Sequence, residues 1–501
     1  MTVPGAGPAN YRAFRSGSDS VKALNALRCT FHVVLSRDDR AFFAGVAAAV
    51  QANPFGDERA RLDARLVGAR SGAARAETID RLVELVRRRL SRVSATDVRR
   101  YPEDERELLE LAVLFELFHR FAGAFDEHIR AQLASGPRPI RVPFAGAFLR
   151  ELEQRGFAAE EAKRLLALSF QVRRAYYFVE RALVGESASM RRLREALWNN
   201  IFTHDLRLYA RFLWRKMEDF STFLLGETGA GKGTCAAALG RSCFIPFDAR
   251  RETFTESFSA VFSTVNLAEF PETLLESELF GHKKGAFTGA VADYDGALAR
   301  VSTHGAVFLD EIGEVGEPVQ VKLLRVLQER SFSPVGSREP MRFSGRVIAA
   351  TNRSLDDLRQ GGRFRDDLFY RLCADVIEVP PLRVRVREAP GELDVLLTVI
   401  VRRIVGEDSA AVCALVKEAI ARDLPRDYDW PGNVRELEQC VRRVLLTRGY
   451  RGDVASRAPS ADAALALARH VRALFALHGT VAEVARRAGL DRRTVKKYLA
   501  R

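Results

Sequence analysis

A glycine-rich segment near the middle of the chain constrains the fold more than any other feature. Phe223–Leu225 is a short apolar run typical of a buried strand, and a glycine-rich segment and an alanine-rich stretch follow it. The order strand, glycine loop, helix is that of a P-loop, in which backbone N–H groups and the helix N-terminus contact phosphate oxygens. The sequence therefore predicts a nucleotide-binding α/β domain.

The whole of this loop is predicted to contact the nucleotide, and Lys232 would reach its terminal phosphates. The predicted nucleotide contacts here are Gly226, Glu227, Thr228, Gly229, Ala230, Gly231, Lys232, Gly233 and Thr234. The loop departs from the usual pattern in one place. Gly233 stands where a P-loop usually has Ser or Thr, and Thr234 lies one position later.

A second apolar run ends in two acidic residues, Asp310 and Glu311. A buried strand would deliver these carboxylates to the carboxyl edge of the sheet, where Asp310 would hold Mg²⁺ and Glu311 would orient or deprotonate the attacking water. A third apolar run, 347–351, precedes Asn352, which is suited to sense the γ-phosphate. Together with the P-loop, these runs predict binding and hydrolysis of ATP with Mg²⁺.

The composition excludes several classes of protein. Of the 501 residues 47% are hydrophobic, which is enough for packed cores and excludes wholesale disorder. No apolar run is long enough to cross a membrane, and the first twenty residues lack the apolar core of a secretory signal, so a cytoplasmic protein is predicted. Six scattered cysteines without a CxxC pair indicate reduced thiols rather than disulfides or a zinc site.

Residues 1–183 are predicted to be mostly helical, with apolar residues at helical spacing in 79–93 and 108–129. These stripes fit either a helical core or a coiled-coil seam. The proline-rich segment 136–143 should interrupt the helices, and another helix is predicted over 158–183. Asp38 and Asp39 suggest the start of a helix rather than a phosphoacceptor site, and Cys29 with His32 suggests core residues rather than metal ligands. The ligand or signal of this region is left unassigned.

The segment Pro271–Ala290 ends in the six residues GAFTGA. Here the chain resembles the sigma-54-dependent transcriptional activators, or bacterial enhancer-binding proteins, which are AAA+ ATPases. The resemblance covers roughly 184–448 and the tail. It implies that a mobile loop contacts sigma-54 RNA polymerase holoenzyme and moves with the nucleotide state. The loop residues are Gly285, Ala286, Phe287, Thr288, Gly289 and Ala290.

The same resemblance implies further roles. Asn266 matches the asparagine that restrains the catalytic Glu311, and Arg435 matches a nucleotide-sensing arginine in a helical lid. Arg365 and Arg371 match two arginine fingers that reach the γ-phosphate of the neighbouring subunit. Fingers that act between subunits imply self-association into a ring, and the family suggests a hexamer. Gly233, the aromatic-rich segment 199–220 and the segment 384–387 depart from the family pattern.

The last 37 residues carry nine Lys or Arg against two acidic residues. Helices are predicted over 468–476 and 481–488 and from Arg492, with Gly489 in a turn. This resembles a Fis-type helix-turn-helix, which implies binding of enhancer DNA. The alternative is a solvated basic helix. The residues expected to meet DNA are Arg492, Arg493, Thr494, Lys496, Lys497 and Tyr498.

The predicted fold is therefore multidomain. It comprises a mostly α-helical N-terminal regulatory region (1–183), an α/β P-loop AAA+ core (184–388), a helical lid (389–450), a linker (451–464) and a helix-turn-helix (465–501). The predicted function is ATP-driven activation of sigma-54 RNA polymerase transcription from a ring bound at enhancer DNA. Two alternatives stay open: a DNA-binding regulator that does not hydrolyse ATP, and an AAA+ machine that acts on another substrate.

Overall fold

The computed structural model describes residues 33–69, 74–360 and 364–452 and, in the tail, 470–472, 474–476, 479–488, 490 and 492–499. The expectations for Cys29, His32, most of the linker, Gly489 and Asp491 lie outside these residues. The chain divides into two compact units. One unit holds the residues up to 184 together with 189–226 and 232–379, and the other holds 185–188, 227–231 and the chain from 380 onward.

The region before the first strand is helical, as predicted. Its helices are α1 Arg37–Gln51, α2 Asp57–Val67, α3 Arg75–Leu90, α4 Glu103–Arg120, α5 Ala122–Ser135, α6 Ala145–Gln154, α7 Ala159–Ala182 and α8 Ala188–Phe202, followed by a helical turn Leu206–Leu208. Asp39 lies in the first turn of α1, where its backbone N–H is capped by Ser36 Oγ at 3.0 Å. The proline-rich break is confirmed.

Two boundaries differ from the sequence expectation. The stripe over 108–129 forms two helices instead of one, because α4 ends and α5 begins on either side of Phe121. Buried phenylalanines at this junction, including Phe125 and Phe148, pack against Phe121 and Phe144, and this packing overrides the helical periodicity of the sequence. The α/β part begins at the first strand, Thr222, rather than at residue 184, since α8 precedes it.

The core is a five-stranded parallel sheet in the order β4-β5-β8-β1-β9. The strands are β1 Thr222–Leu225, β2 Phe247–Asp248, β3 Thr253–Phe254, β4 Phe262–Asn266, β5 Ala306–Asp310, β6 Ser331–Phe332, β7 Met341–Arg342, β8 Arg346–Thr351 and β9 Asp375–Glu378. The core helices are α9 Lys232–Gly240, α10 Glu272–Phe280, α11 Glu317–Glu329, α12 Leu355–Gln360 and α13 Asp366–Leu372. The three central strands are buried apolar runs, as expected for a parallel sheet covered on both faces.

Helix α7 packs directly on the sheet region within the same compact unit. The ring of Phe170 stacks on Phe254 with the centroids 4.1 Å apart, and Gln171 Nε2 donates to the carbonyl of Ser242 at 2.9 Å. Arg174 is fully buried and donates to the carbonyl of Cys243, with its guanidinium over Phe258. The N-terminal helices therefore share a core with the segment that follows the P-loop helix α9.

The second unit is helical. Its helices are α14 Leu382–Glu388, α15 Glu392–Val405, α16 Ala410–Asp423, α17 Asn433–Thr447, α18 Val481–Ala488 and α19 Arg492–Leu499. α18 begins at the predicted cap, Thr480, whose Oγ1 accepts the backbone N–H of Glu483 at 3.4 Å. In the described part of the chain, no helix combines the length and the apolar character that a membrane span requires.

Candidate functional site

Three adjacent strands, β5, β8 and β1, bring the predicted catalytic groups to one edge of the sheet. Leu225 at the end of β1 pairs with Thr351 at the end of β8, so these carboxyl ends lie level. Lys232 begins α9 after the loop that follows β1, Asp310 ends β5, and Asn352 follows β8. The carboxyl edge of an open parallel sheet is where such folds bind ligands.

Glu311 has the features expected of a catalytic acid or base. Its backbone adopts the left-handed conformation with φ 54°, and its N–H donates to Asp310 Oδ1 at 3.0 Å. One carboxylate oxygen, Oε2, is buried and has no hydrogen-bond partner among the residues that the structure describes. A left-handed non-glycine residue costs about 1–3 kcal/mol, and such strain concentrates at functional sites. The hydrogen-bonding capacity of this oxygen is therefore not used by the described residues.

Lys232 is 6% exposed, and its Nζ donates to the carbonyl of Gly226 at 2.9 Å. The helix includes Gly233, where an added Cβ would meet only Phe308 Cε1, at 3.9 Å. No close contact therefore requires glycine at this unusual position. Thr234 is exposed one residue further along the same helix.

Within the second unit, the loop segment 227–231 contacts the start of α17. Gly229 has φ 77°, and a Cβ there would lie 2.4 Å from the carbonyl oxygen of Gly432 and 2.9 Å from Arg435 Cβ. Only glycine fits both the conformation and the close approach. Arg435 is exposed beside the loop, as a nucleotide-sensing residue of the lid should be.

Two residues that the sequence interpretation missed fasten the loop to the lid helices. Arg383 pairs with both carboxylate oxygens of Glu227, at 2.7 Å and 2.5 Å, and Asn433 Nδ2 donates to Glu227 Oε2 and to the carbonyl of Thr228, each at 3.1 Å. The hydrogen bonds from Arg383 lower the pKa of Glu227. Asn433 lies two positions before the predicted sensor Arg435, and this proximity was the available signal.

The two predicted arginine fingers lie on the surface of the chain. Arg365 donates to Asp367 at 2.8 Å and to Glu317 at 3.1 Å, and the hydrogen bonds to Asp367 raise the pKa of Arg365. Arg371 donates to the carbonyl of Leu327 at 3.2 Å and 3.1 Å. Both side chains are therefore accessible to a second copy of the chain.

The expected contact between Asn266 and Glu311 is not formed among the described residues. Asn266 Oδ1 accepts the N–H of Ala268 at 3.2 Å, and its Nδ2 donates to Glu269 Oε1 at 2.9 Å. The amide is occupied because Asn266 caps the turn that follows β4. Its backbone nevertheless pairs in register with Asp310, the neighbour of Glu311.

Segment 285–290 forms an exposed loop tip. Gly285 and Gly289 have φ 84° and φ 102°, and Gly285 N–H donates to the carbonyl of Ala290 at 2.8 Å. Phe287 is 39% exposed, with only an edge contact to His282 at 4.9 Å between centroids. Phe287 is thus presented at the tip of the loop, and its contact with sigma-54 stays a prediction.

The base of this loop is held in several ways. Lys283 Nζ pairs with Asp293 at 2.9 Å, the ring of His282 stacks on Tyr294, and the hydrogen bond from Lys283 lowers the pKa of Asp293. A Cβ on Gly296 would lie 2.2 Å from the backbone nitrogen of Gly281, so the segments that enter and leave the loop lie in close contact. A fixed base with an exposed tip suits a contact surface.

In the tail, α18 and α19 pack around a small cluster that includes the predicted core residues Val484, Leu490, Val495 and Leu499. The cations Arg492, Arg493, Lys496 and Lys497 are exposed, and Thr494 is half-buried. Tyr498 is half-buried and packs against this cluster, and its contact with DNA stays a prediction.

The site fits a nucleotide. Within the first unit, the buried Lys232 and the carboxylate of Glu311 follow strands that end at the same edge of the sheet, as binding and hydrolysis of a triphosphate require. In the described part of the chain no group of three or more His, Cys, Asp or Glu could hold a metal by itself. Asp310 alone suits Mg²⁺, which takes one or two carboxylates and fills its remaining positions with phosphate and water oxygens. A parallel sheet with these loops and a helical lid defines the class of P-loop AAA+ proteins.

Comparisons with known proteins give the family. Residues 202–378 match the family model described as "Sigma-54 interaction domain", and 387–455 match "AAA+ ATPase lid domain". The transcriptional regulatory protein ZraR of Klebsiella oxytoca is 37% identical over 337 residues, which are 64% of this chain and 68% of the relative. The Nif-specific regulatory protein of Azotobacter vinelandii is 39% identical over 278 residues, 54% of this chain and 46% of the relative. The chain belongs to the sigma-54-dependent transcriptional activators.

The chain spans about half the length of the first curated relatives that it matches. Among solved structures, NtrX from Brucella abortus in complex with ATP aligns over 71% of this chain and 80% of its own, at 23% identity and a TM-score of 0.39. That similarity is too low to compare the two sites.

Proposed function

We propose that this chain hydrolyses ATP and uses the hydrolysis to remodel sigma-54 RNA polymerase holoenzyme, as a ring of subunits bound to enhancer DNA. The observation that carries the proposal is the exposed tip at Phe287 and Thr288, in a chain whose sheet also carries Lys232 and Glu311 in positions suited to hydrolysis. A sigma-54 contact and a catalytic carboxylate in one chain favour an energy-coupled activator over a DNA-binding protein that does not hydrolyse ATP.

In the proposed reaction, Lys232 binds the terminal phosphates, and Glu311 orients a water molecule and accepts its proton through the carboxylate that is unpartnered in this structure. Mg²⁺ held by Asp310 would neutralise charge on the phosphate oxygens. Asn352 and Arg435 sense the phosphates from the sheet and the lid, respectively. Asn266 is expected to exchange Glu269 for Glu311 in one nucleotide state, which would switch the carboxylate between idle and active positions.

Arg365 and Arg371 would complete the site of the next subunit. Arg371 is exposed, and the half-buried Arg365 is held by acidic partners that a phosphate could replace. Because each subunit would supply fingers to its neighbour, hydrolysis would require a closed ring, proposed to be a hexamer. The ring would be required because the arginines of one subunit add positive charge beside the phosphoryl group that is transferred in the next.

The exposed cations of α19 would hold enhancer DNA. Arg492, Arg493, Lys496 and Lys497 would contact phosphates and base edges, with Thr494 and Tyr498 at the margin of this surface. Nine basic residues in the tail predict a binding constant that falls steeply with salt.

The test is Thr288→Ala in the full chain, with Val291→Ala as a matched control, because Val291 is 81% exposed just outside the tip. We expect Thr288→Ala to retain steady-state ATP hydrolysis and to lose open-complex formation at a sigma-54 promoter. The control should retain both. Equal loss of both activities in Thr288→Ala would show that the loop is structural, and full retention of both would point to a different substrate.

A further inference from the structure

The N-terminal helices enclose a cavity of about 480 Å³ that the ATPase chemistry does not use. Most of its lining is apolar, with side chains from α3, α4 and α7, among them Ile79, Leu111, Phe118, Leu165 and Val172. Small-molecule sites are typically cavities of about 300–1,000 Å³, mostly apolar with a few polar groups. The volume and the lining therefore match a site for a small ligand better than a packing defect.

One polar side chain of this lining, a histidine, makes no hydrogen bond in the described part of the chain. His119 sits between the rings of Phe115 and Phe118, and its imidazole makes no hydrogen bond with the residues that the structure describes. Burial, together with the charges of Arg59 and Arg173, lowers the pKa of His119 to about 3. At neutral pH this imidazole is uncharged and offers one donor and one acceptor. This half-buried imidazole can therefore donate a hydrogen bond to, or accept one from, a ligand in the cavity.

The charged residues of the lining are mainly basic. Arg59 is paired with Asp63 at 2.8 Å, and Arg173 with Asp126 at 2.6 Å, so these two cations are neutralised. Arg75 differs: it is exposed, and in the described part of the chain it contacts the carbonyl of Pro54 but no carboxylate. An exposed residue that also lines the cavity lies at its mouth. The one acidic residue of the lining, Asp80, makes no ion pair with Arg75 in the described part of the chain, so Arg75 supplies a positive charge at the entrance of an apolar space.

We propose that this cavity binds a small, largely apolar monoanion, such as an aliphatic or aromatic carboxylic acid. The carboxylate pairs with Arg75 at the mouth, the apolar part fills the space between α3, α4 and α7, and His119 contacts a polar atom of the ligand or a water bound with it. Leu165, Val172 and Arg173 belong to the same helix, α7, as Gln171 and Arg174, which contact the ATPase region. The ligand would therefore touch the helix that joins the two regions.

The binding test uses the full chain and the fluorescent probe 1-anilinonaphthalene-8-sulfonate, an apolar aromatic anion. We expect saturable binding and displacement by decanoate, with decanol as the uncharged competitor of equal chain length. Arg75→Ala should lower the affinity for decanoate by about tenfold or more, as expected for a lost hydrogen bond to a charged group. The affinity for decanol should not change. Equal effects on both competitors would contradict the role of Arg75.

The location is tested by filling the cavity. Val172→Trp, and the milder Leu114→Phe if the first variant unfolds, should abolish displaceable probe binding while the thermal unfolding transition is retained. Leu133→Trp is the control, because Leu133 is 39% exposed and does not line the cavity. His119→Leu leaves the cavity volume nearly unchanged. It should weaken the binding of ligands that carry a second polar atom more than the binding of decanoate. Unchanged decanoate binding in the filled variants, or no displacement at millimolar decanoate, would overturn the proposal.

Discussion

The sheet and the N-terminal helices belong to one compact unit, yet they hold their polar groups in opposite ways. In the sheet, buried strands are apolar and the reactive groups follow them directly, so Asp310, Glu311 and Asn352 stand at strand ends. In the helices, polar groups lie inside the fold, such as Gln171, which is 1% exposed and donates to the hydroxyl of Tyr209, 38 positions away. The first arrangement depends on residues adjacent in sequence, and the second on residues far apart.

This difference explains which functions a sequence reveals. A strand end with an acidic pair is a local pattern that can be recognised without knowing the rest of the fold. The N-terminal cavity is lined by residues between 50 and 210, and its character depends on how the helices pack. Four changes test the contrast, beginning with the strongest effect.

Glu311→Gln should lower the ATP turnover rate by about 10²–10⁴-fold, because it removes the proton acceptor while leaving Lys232 and Asp310 in place. Binding of ATP, followed by titration with a fluorescent analogue, should change little. Glu314→Gln is the control, since Glu314 is paired with Arg353 and has no proposed contact with the reacting phosphate. Loss of nucleotide binding in Glu311→Gln would contradict the assigned role.

Phe170→Ala should lower the free energy of unfolding by about 3–5 kcal/mol, because this 2% exposed ring packs between the two regions. Phe212→Ala should change it by less than about 0.5 kcal/mol, because Phe212 is 59% exposed. Chemical denaturation followed by circular dichroism measures both. If the N-terminal helices and the sheet region unfolded independently, Phe170→Ala would leave the unfolding of the sheet region unchanged. That result would contradict a shared core.

Arg383→Ala should weaken nucleotide binding by at most about fivefold, since it releases Glu227 but leaves Asn433 holding the loop. The effect is small because both partners are about one-third exposed, which screens the ion pair. Arg387→Ala removes another surface ion pair, with Asp429, and should not change the affinity. A loss above a hundredfold would mean that Arg383 contacts the nucleotide itself.

Gly233→Ala should raise the free energy of unfolding by about 0.5–1 kcal/mol, because alanine favours the helix and the site has room for a methyl group. Gly229→Ala in the same loop should lower it, because φ is 77° and the added Cβ would clash with Gly432. A loss of stability in Gly233→Ala, measured by thermal unfolding, would show that glycine is required there.

The sequence predicted the strands, the P-loop and the exposed loop tip because each is set by neighbouring residues. It missed Arg383 and Asn433 because their importance comes from contact with Glu227, more than 150 positions away. The break at Phe121 was missed because packing among phenylalanines from separate helices overrides the periodicity of one helix. Likewise, the side of α19 that Tyr498 occupies depends on how α18 docks against it.

Helix α7 packs against the N-terminal helices on one side and the ATPase region on the other, which limits how such a chain can evolve or be re-engineered. Removing the residues before about 184 would expose Phe254 and Phe258, which are 3% and 1% exposed in the full chain. The remaining fragment would then carry an exposed apolar surface. Altered activity of such a fragment would then reflect aggregation as much as release from control. A replacement N-terminal region would have to match this face, so we expect the two parts to be inherited together rather than exchanged as interchangeable modules.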